Sequence, residues 1–203
     1  MDGSPKTEKG RATRARILQA ASELIAQHGV AETSVDDVLQ RAGASKSQLY
    51  HYFSDRSGLM RAVVVYNTER ILALHEPHLR ELTGWTSIRR WLDMVVSLQV
   101  GRQGRGGCPI GVLVGQLAEA DPLAREELDR SFRRWEGQLV DGLRRLQERK
   151  KLDARADVSR LATATMCTIQ GGLLFTQLRR DPQQLAIAVD SAYVHLRSHA
   201  ARG

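Results

Sequence analysis

The sequence is poor in cysteine, with only Cys108 and Cys167 in 203 residues. Two thiols are too few for a disulfide framework, so packing thiols in a reducing cytoplasm are expected. Redox sensing is the alternative use for them. No run approaches the 18 consecutive apolar residues of a membrane span. The first ten residues, Met1 to Gly10, carry charge with no apolar core behind it, which argues against a secretory signal peptide. Alternation of β-branched and polar residues, the mark of a strand, is also missing. Val63-Val64-Val65 is the best strand fragment, and it lies inside a longer helical pattern.

Catalytic pairings are absent as well. No serine, cysteine or carboxylate has a credible partner by spacing, so the chain reads as a non-enzyme with no cofactor. The loop Gly101–Gly107 lacks the Gly-Lys-Ser/Thr ending of a phosphate-binding loop. His75 and His78 stand at i,i+3, and His195 and His199 at i,i+4. Each pair lacks a third ligand at a recognisable spacing, so surface histidines and no metal are expected.

What is present fits an ordinary globular chain, 42% hydrophobic and 26% charged. Its length suits one large domain or two small ones sharing a core. The net charge of +7 suits a polyanionic partner such as nucleic acid. The excess does not locate that partner. Residues 1–60 carry a net +1 and residues 61–203 a net +6, although residues 1–16 alone carry +3.

Helical periodicity runs throughout and predicts nine helices, an all-α fold. A polar arm is expected over residues 1–10. The first helix covers about 11–27, with Ile17, Leu18, Ala21, Leu24 and Ile25 on one face and Gly29 as its stop. A short second helix follows Thr33 and Ser34 and ends near Arg41. Ser45 caps a third that runs through Phe53. A fourth starts after Ser54 and Asp55 and reaches Leu74 or beyond, with Pro77 expected to kink or end it. Further helices are expected over about 86–100 and 109–119, from Asp121 to about 150, over about 155–180, and from Pro182 to about 200. Asp121-Pro122 and Asp181-Pro182 each place a cap before a first-turn proline.

Residues 33–53 spell a helix-turn-helix, with Ala42-Gly43-Ala44-Ser45 as the turn. Val35, Val38, Leu39, Leu49 and Phe53 are apolar at positions that pack on Ile17, Leu24 and Ile25. Lys46, Ser47, Gln48, Tyr50, His51 and Tyr52 remain to face outward, toward base edges or phosphates.

These residues, together with Arg16-Ile17-Leu18, Ala20-Ala21, Gly29, Thr33-Ser34-Val35, Leu49-Tyr50-His51-Tyr52-Phe53 and Leu59, resemble the TetR family of transcriptional regulators over about residues 11–65. The resemblance implies a DNA-binding domain over 1–54 and a helical ligand-binding and dimerisation domain over 55–203. It implies that Thr33, Ser34 and Val35 open the backbone-touching helix. Ser45, Lys46, Ser47, Gln48, Tyr50, His51 and Tyr52 fall on or cap the recognition helix. Arg56, where the family usually has lysine, would clamp a phosphate. Gly107-Cys108-Pro109-Ile110-Gly111, Leu117-Ala118-Glu119, Trp135-Glu136 and Gln170-Gly171-Gly172 resemble the LmrA/YxaF-like branch. That branch implies a drug-like or flavonoid-like effector.

The expected partners are an operator in double-stranded DNA, a second copy and a small apolar or aromatic effector; no membrane is expected. Asn67, Trp91, Val95, Leu113, Gln116, Phe132, Trp135, Met166, Gln170 and Leu174 are the pocket candidates. The dimer seam is placed on the last two helices. Leu161, Ala162, Thr165 and Ile169 line one, and Leu185, Val189, Ala192 and Leu196 the other. Gly171-Gly172 inside a helix suggests close helix approach or room for a ligand.

Overall fold

The computed structural model describes Pro5 and residues 7–201, and among them nine α-helices and no strand. They are α1 (Glu8–His28), α2 (Val35–Ala42), α3 (Lys46–Phe53), α4 (Arg56–Arg80), α5 (Trp85–Gly101), α6 (Gly111–Leu117), α7 (Pro122–Glu148), α8 (Val158–Arg179) and α9 (Gln183–Ser198). None of these helices is long and apolar enough to cross a membrane.

The departures from periodicity are local. Of the arm expected over 1–10, positions 1–4 and 6 lie outside the described residues. Glu8, Lys9 and Gly10 instead belong to α1, because the Thr7 hydroxyl accepts from the Gly10 amide and moves the cap forward. Pro77 neither ends nor shortens α4. It sits in the last turn, where the missing N–H removes one bond close to the fraying end. α6 is shorter than expected at both ends, covering Gly111–Leu117.

The chain divides into two compact units. The first holds the residues through Arg70 together with Val112–Ser131; the second holds Ile71–Gly111 and the chain from Phe132 onward. In the first, α1 buries Ile17, Leu18, Ala21, Leu24 and Ile25. α2 packs on it with Val38 and Leu39, and α3 with Leu49 and Phe53. Val35, expected inside, is half-buried.

In the second unit α8 lies along α9, and α5 also packs on α9. The residues expected to line the dimer seam fall inside one chain. Leu161, Ala162, Thr165, Ile169, Leu185, Val189, Ala192 and Leu196 are all buried within a single chain. A 3.6-residue stripe shows that a face is covered, not which neighbour covers it. The apolar residues left exposed on these helices are Leu174, Phe175, Leu178 (72%), Ile187 and Val194 (67%).

The two adjacent glycines of α8 differ. A Cβ on Gly172 would lie 2.6 Å from Ala188 Cβ and 3.2 Å from Leu185 Cα, whereas one on Gly171 meets nothing within 4 Å. At Gly172 the helices α8 and α9 approach too closely for a methyl group. Gly172→Ala should therefore lower stability by about 1–3 kcal/mol through overpacking. Gly171→Ala should be neutral or stabilise by up to ~1 kcal/mol. Urea unfolding of the two variants reads the difference.

Candidate functional site

The helix-turn-helix of α2 and α3 is assembled by its caps. Ser34 starts α2 with a reciprocal box: the Asp37 amide donates to Ser34 Oγ at 3.1 Å, and the Ser34 amide donates to the Asp37 carboxylate at 3.3 Å. The Ser34 hydroxyl also donates to that carboxylate at 2.5 Å, and these bonds hold the Asp37 carboxyl below its ordinary range. Gly43 closes α2 in the left-handed region at φ 58°, which lets the chain reverse within three residues. Ser45 then opens α3 with a second box. The Gln48 amide donates to Ser45 Oγ at 3.2 Å, and the Ser45 amide donates to Gln48 Oε1 at 2.9 Å.

This register decides which α3 side chains are available. Leu49 and Phe53 are buried, while Lys46, Ser47, Tyr50 (44%) and His51 are exposed. Gln48 is half-buried with its carbonyl taken by the cap, so its amide N–H₂ is the group left to read an acceptor. Tyr52 is half-buried; its ring stands edge-on to His51, and its hydroxyl lies against Gly10 of α1. Arg14 of α1 lies over the Phe53 ring at 5.3 Å.

Two of the residues assigned to DNA by resemblance have internal duties. Thr33 is 2% exposed, and its hydroxyl donates to the Gly29 carbonyl at 2.7 Å, so its side chain serves the turn. The Arg56 guanidinium donates to the carbonyls of Val30 (2.5 Å) and Thr33 (3.3 Å). It therefore spans the α1–α2 turn from α4. From α6, Gln116 Oε1 accepts from the Val30 amide at 2.6 Å. Arg61 of α4 meets Asp121 at 3.0 Å, and the same carboxylate caps α7 through the Leu123 and Ala124 amides. A cleft of about 400 Å³ lined by Val30, Arg56, Met60, Gln116 and Asp121 opens beside the turn. The turn is thus held by side-chain struts as well as by packing.

The pocket candidates separate. Asn67, Leu113 and Gln116 belong to the first unit. Asn67 is buried and accepts from Ser22 Oγ at 2.7 Å, Leu113 is buried, and Gln116 is the strut just described. Of those in the second unit, Val95 and Met166 are buried, Gln170 is half-buried, and Leu174 is exposed on the outer face of α8.

Trp91, Phe132 and Trp135 do converge, around a residue the sequence reading had placed on the surface. His75 of α4 is only 4% exposed. Trp91 Nε1 donates to His75 Nδ1 at 3.0 Å, and the Trp135 ring stands edge-on to the imidazole with centroids 4.6 Å apart. Phe132 stacks on Trp135 at 6.3 Å. Burial, followed by the charge of His78, pushes the His75 pKa down to about 4. The signal for its burial was its spacing: Leu72, His75 and Leu79 fall on one face of α4, and all three are buried. Cys108 is buried, which pushes its thiol pKa up, whereas Cys167 is exposed on α8.

Comparison with known proteins matches both parts of the chain. Residues 17–63 match the family described as bacterial regulatory proteins, tetR family. Residues 84–192 match the tetracyclin repressor-like C-terminal domain. An uncharacterized HTH-type transcriptional regulator in the lacX 3' region of Lactococcus lactis subsp. lactis is 27% identical over 180 residues, 84% of this chain and 86% of that protein. The uncharacterized HTH-type regulator YxaF of Bacillus subtilis is 24% identical over 187 residues, 91% of this chain and 95% of its own. Among solved structures, a TetR-family regulator from Cytophaga hutchinsonii superposes with a TM-score of 0.84 at 16% identity, covering 98% of this chain and 100% of that one. The regulatory protein TetR from Rhodobacter sphaeroides gives 0.79 at 23% identity, covering 89% and 97%.

Two outcomes follow from this geometry. Arg56→Ala removes charge-assisted bonds to two carbonyls and should cost about 1–3 kcal/mol in urea unfolding. Both bonds leave one nitrogen, Nη2, so Arg56→Lys, whose ammonium carries three donors on one nitrogen, should recover part of that. For His75, the unfolded imidazole titrates near 6.5 and the folded one at about 4. Between those values the unfolded chain binds the extra proton. The stabilisation is therefore complete above about pH 6.5 and drains as pH falls toward 4, by about 3 kcal/mol in all. Thermal unfolding across that range should show the loss, and His75→Gln should flatten it.

Proposed function

The chain belongs to the TetR family of helix-turn-helix transcriptional regulators, and from that premise we propose a repressor that an effector releases from DNA. In this reading residues 1–54 read a palindromic operator in the cytoplasm, and residues 55–203 bind the effector and a second copy of the chain. The observation that carries the DNA-reading part is the face of α3. It presents Lys46, Ser47, Tyr50 and His51 to solvent while Leu49 and Phe53 anchor it from behind. Lys46 and Ser47 at its start suit phosphates and base edges, and Tyr50 and His51 can reach further along the groove. Ser34 and Val35 at the start of α2 suit the adjoining backbone. Arg56 has five N–H donors, so a phosphate can share it with the two carbonyls.

A single helix-turn-helix contacts few base pairs, which favours a two-fold dimer on a palindrome. The exposed row of Leu174, Phe175, Leu178, Ile187 and Val194 supports joining the copies through the outer faces of α8 and α9. The aromatic cluster around His75 supports an aromatic effector. An effector that fits only a conformation with displaced heads shifts the population toward it, and DNA opposes the effector by the same factor.

The test starts from duplexes selected by the purified protein out of a random library. The selected site should be palindromic. By fluorescence anisotropy, Lys46→Ala and Tyr50→Ala should each weaken binding about 10-fold or more, and Gln48→Ala should relax preference at one base pair per half-site. Selection without a consensus, or unchanged affinity in all three variants, would sink the reading. In sedimentation at micromolar concentration the protein should be a dimer. The double variant Leu178→Arg with Val194→Arg should be a folded monomer. Val189→Arg, which puts a charge inside one chain, should fail to fold.

A further inference from the structure

We propose that Arg102 and Arg105 of the α5–α6 loop and Arg180 at the end of α8 form a second contact to the phosphate backbone of double-stranded DNA, one that adds affinity without reading sequence. This rests on the reading that the chain binds DNA, and it adds a surface that α3 and its neighbours do not supply.

The three arginines are brought together inside the second unit by backbone contact. On one side the loop is tied to the end of α5. The Arg102 and Gly104 amides donate to the Gln99 carbonyl at 3.2 and 2.9 Å, and the Gln103 amide to the Val100 carbonyl at 3.0 Å. Gln99 Nε2 also donates to the Gly107 carbonyl at 3.4 Å. On the other side the loop meets the end of α8. Gly104 is buried, and a Cβ there would lie 3.0 Å from the Arg180 carbonyl carbon and 3.2 Å from its Cα. Arg180 itself closes α8 in the left-handed region at φ 55°, a position that glycine usually fills. The contact leaves Arg102, Arg105 and Arg180 exposed at one corner, with Arg179 beside them.

The corner carries more positive charge than its own acid balances. Arg102, Arg105 and Arg180 form no ion pair among the described residues. The one carboxylate of these two segments, Asp181, is turned to the start of α9, where it accepts from the Gln183 amide at 3.0 Å and from Gln184 Nε2 at 2.8 Å. Like charges held together raise the local potential, and an anion placed among them is attracted by all of them. The distribution of charge along the chain points to the same corner. Residues 1–60, which hold the helix-turn-helix, carry only a net +1, against +6 for residues 61–203. The four arginines and Asp181 supply half of that +6. Affinity for DNA comes largely from phosphates neutralised and counterions released, so a reading motif with so little charge of its own gains from cations elsewhere on the chain. The planar guanidinium fork matches a phosphate. A duplex already held through α3 offers its phosphates to the rest of the chain at high effective concentration, which favours DNA over any other polyanion.

The experiment compares the full-length protein with a triple variant, Arg102→Gln, Arg105→Gln and Arg180→Gly. Glycine keeps the left-handed cap and removes the charge. Arg179 is left intact, because it lies over Phe175 of the exposed apolar row at 5.0 Å. The probes are two long duplexes, one with the selected site and one of scrambled sequence. By fluorescence anisotropy at about 0.1 M salt the triple variant should bind both about 10-fold or more weakly. The slope of log affinity against log salt should fall by about 2–3 per chain. The ratio of the two affinities should stay within about 2-fold, since phosphate contacts carry no sequence information. Lysine at all three positions keeps the charge and should keep most of the slope. An unchanged slope in the triple variant, a slope lost equally with lysine, or a changed ratio overturns the proposal. Binding to phosphatidylglycerol vesicles that the triple variant loses, with its DNA slope unchanged, assigns the corner to lipid and overturns it as well. Lys46→Ala and Tyr50→Ala separate the two readings. If they leave the ratio unchanged while the triple variant lowers the slope on the scrambled duplex, the helix-turn-helix reading fails and this surface stands. If they remove the preference while the triple variant changes nothing, the helix-turn-helix stands and this surface falls.

Discussion

The short turn from Gly29 to Thr33 is the constraint on which the reading head depends. It has too few residues to build a core of its own, and its backbone polar groups lie close to the head's interior. Arg56 takes two of its carbonyls, Gln116 takes the Val30 amide, and the Thr33 hydroxyl returns to Gly29. Each bond starts on a different element: α4, α6 and the turn itself. Where α2 begins, and so where α3 points, is set by how these three agree. Gly29 carries φ 84°, and a Cβ there would lie 3.1 Å from Gln116 Oε1. The glycine serves both the backbone conformation and the close approach of the strut.

That arrangement places the control of α3 outside α3. Helix α3 spends Leu49 and Phe53 on anchoring and both Ser45 and Gln48 on its cap. It is short, eight residues, and isolated helices of that length are unstable in water. Its order is borrowed from α1 and from the struts behind it. A shift of α4 or α6 bears on Val30, because Arg56 holds its carbonyl and Gln116 its amide. One guanidinium nitrogen of Arg56 serves both carbonyls, and the group carries further N–H donors.

In the second unit the governing interaction is the Trp91–His75 bond. A neutral imidazole in an apolar site is tolerable only if its polar atoms are used, and Trp91 uses one of them. The bond fixes the ring between Trp91 and Trp135 and determines which nitrogen faces outward from the pair. Elsewhere in this unit, contact between α8 and α9 is close enough at Gly172 to exclude a methyl group, which seats the apolar stripes of these helices on one another. Their opposite faces are then left carrying exposed leucine, phenylalanine, isoleucine and valine.

The sequence by itself determined the helices, the caps and the reading motif, because these are set within a few residues. Capping boxes at Ser34 and Ser45, the left-handed Gly43 and the i,i+3/i+4 apolar spacing act locally and survive in any context. The family resemblance followed from the same local residues. Tertiary structure alone decided who covers each apolar stripe and what each polar side chain holds. Val189 and Ala192 look the same in sequence whether their partner is α8 of the same chain or a second copy. His75 looks like a surface residue until α5 and α7 close over it. Arg56 and Gln116 give no sign in sequence of the turn that they grip. Burial and long-range hydrogen bonds join residues as far apart as Val30 and Gln116, 86 positions along the chain, and no local periodicity encodes that pairing.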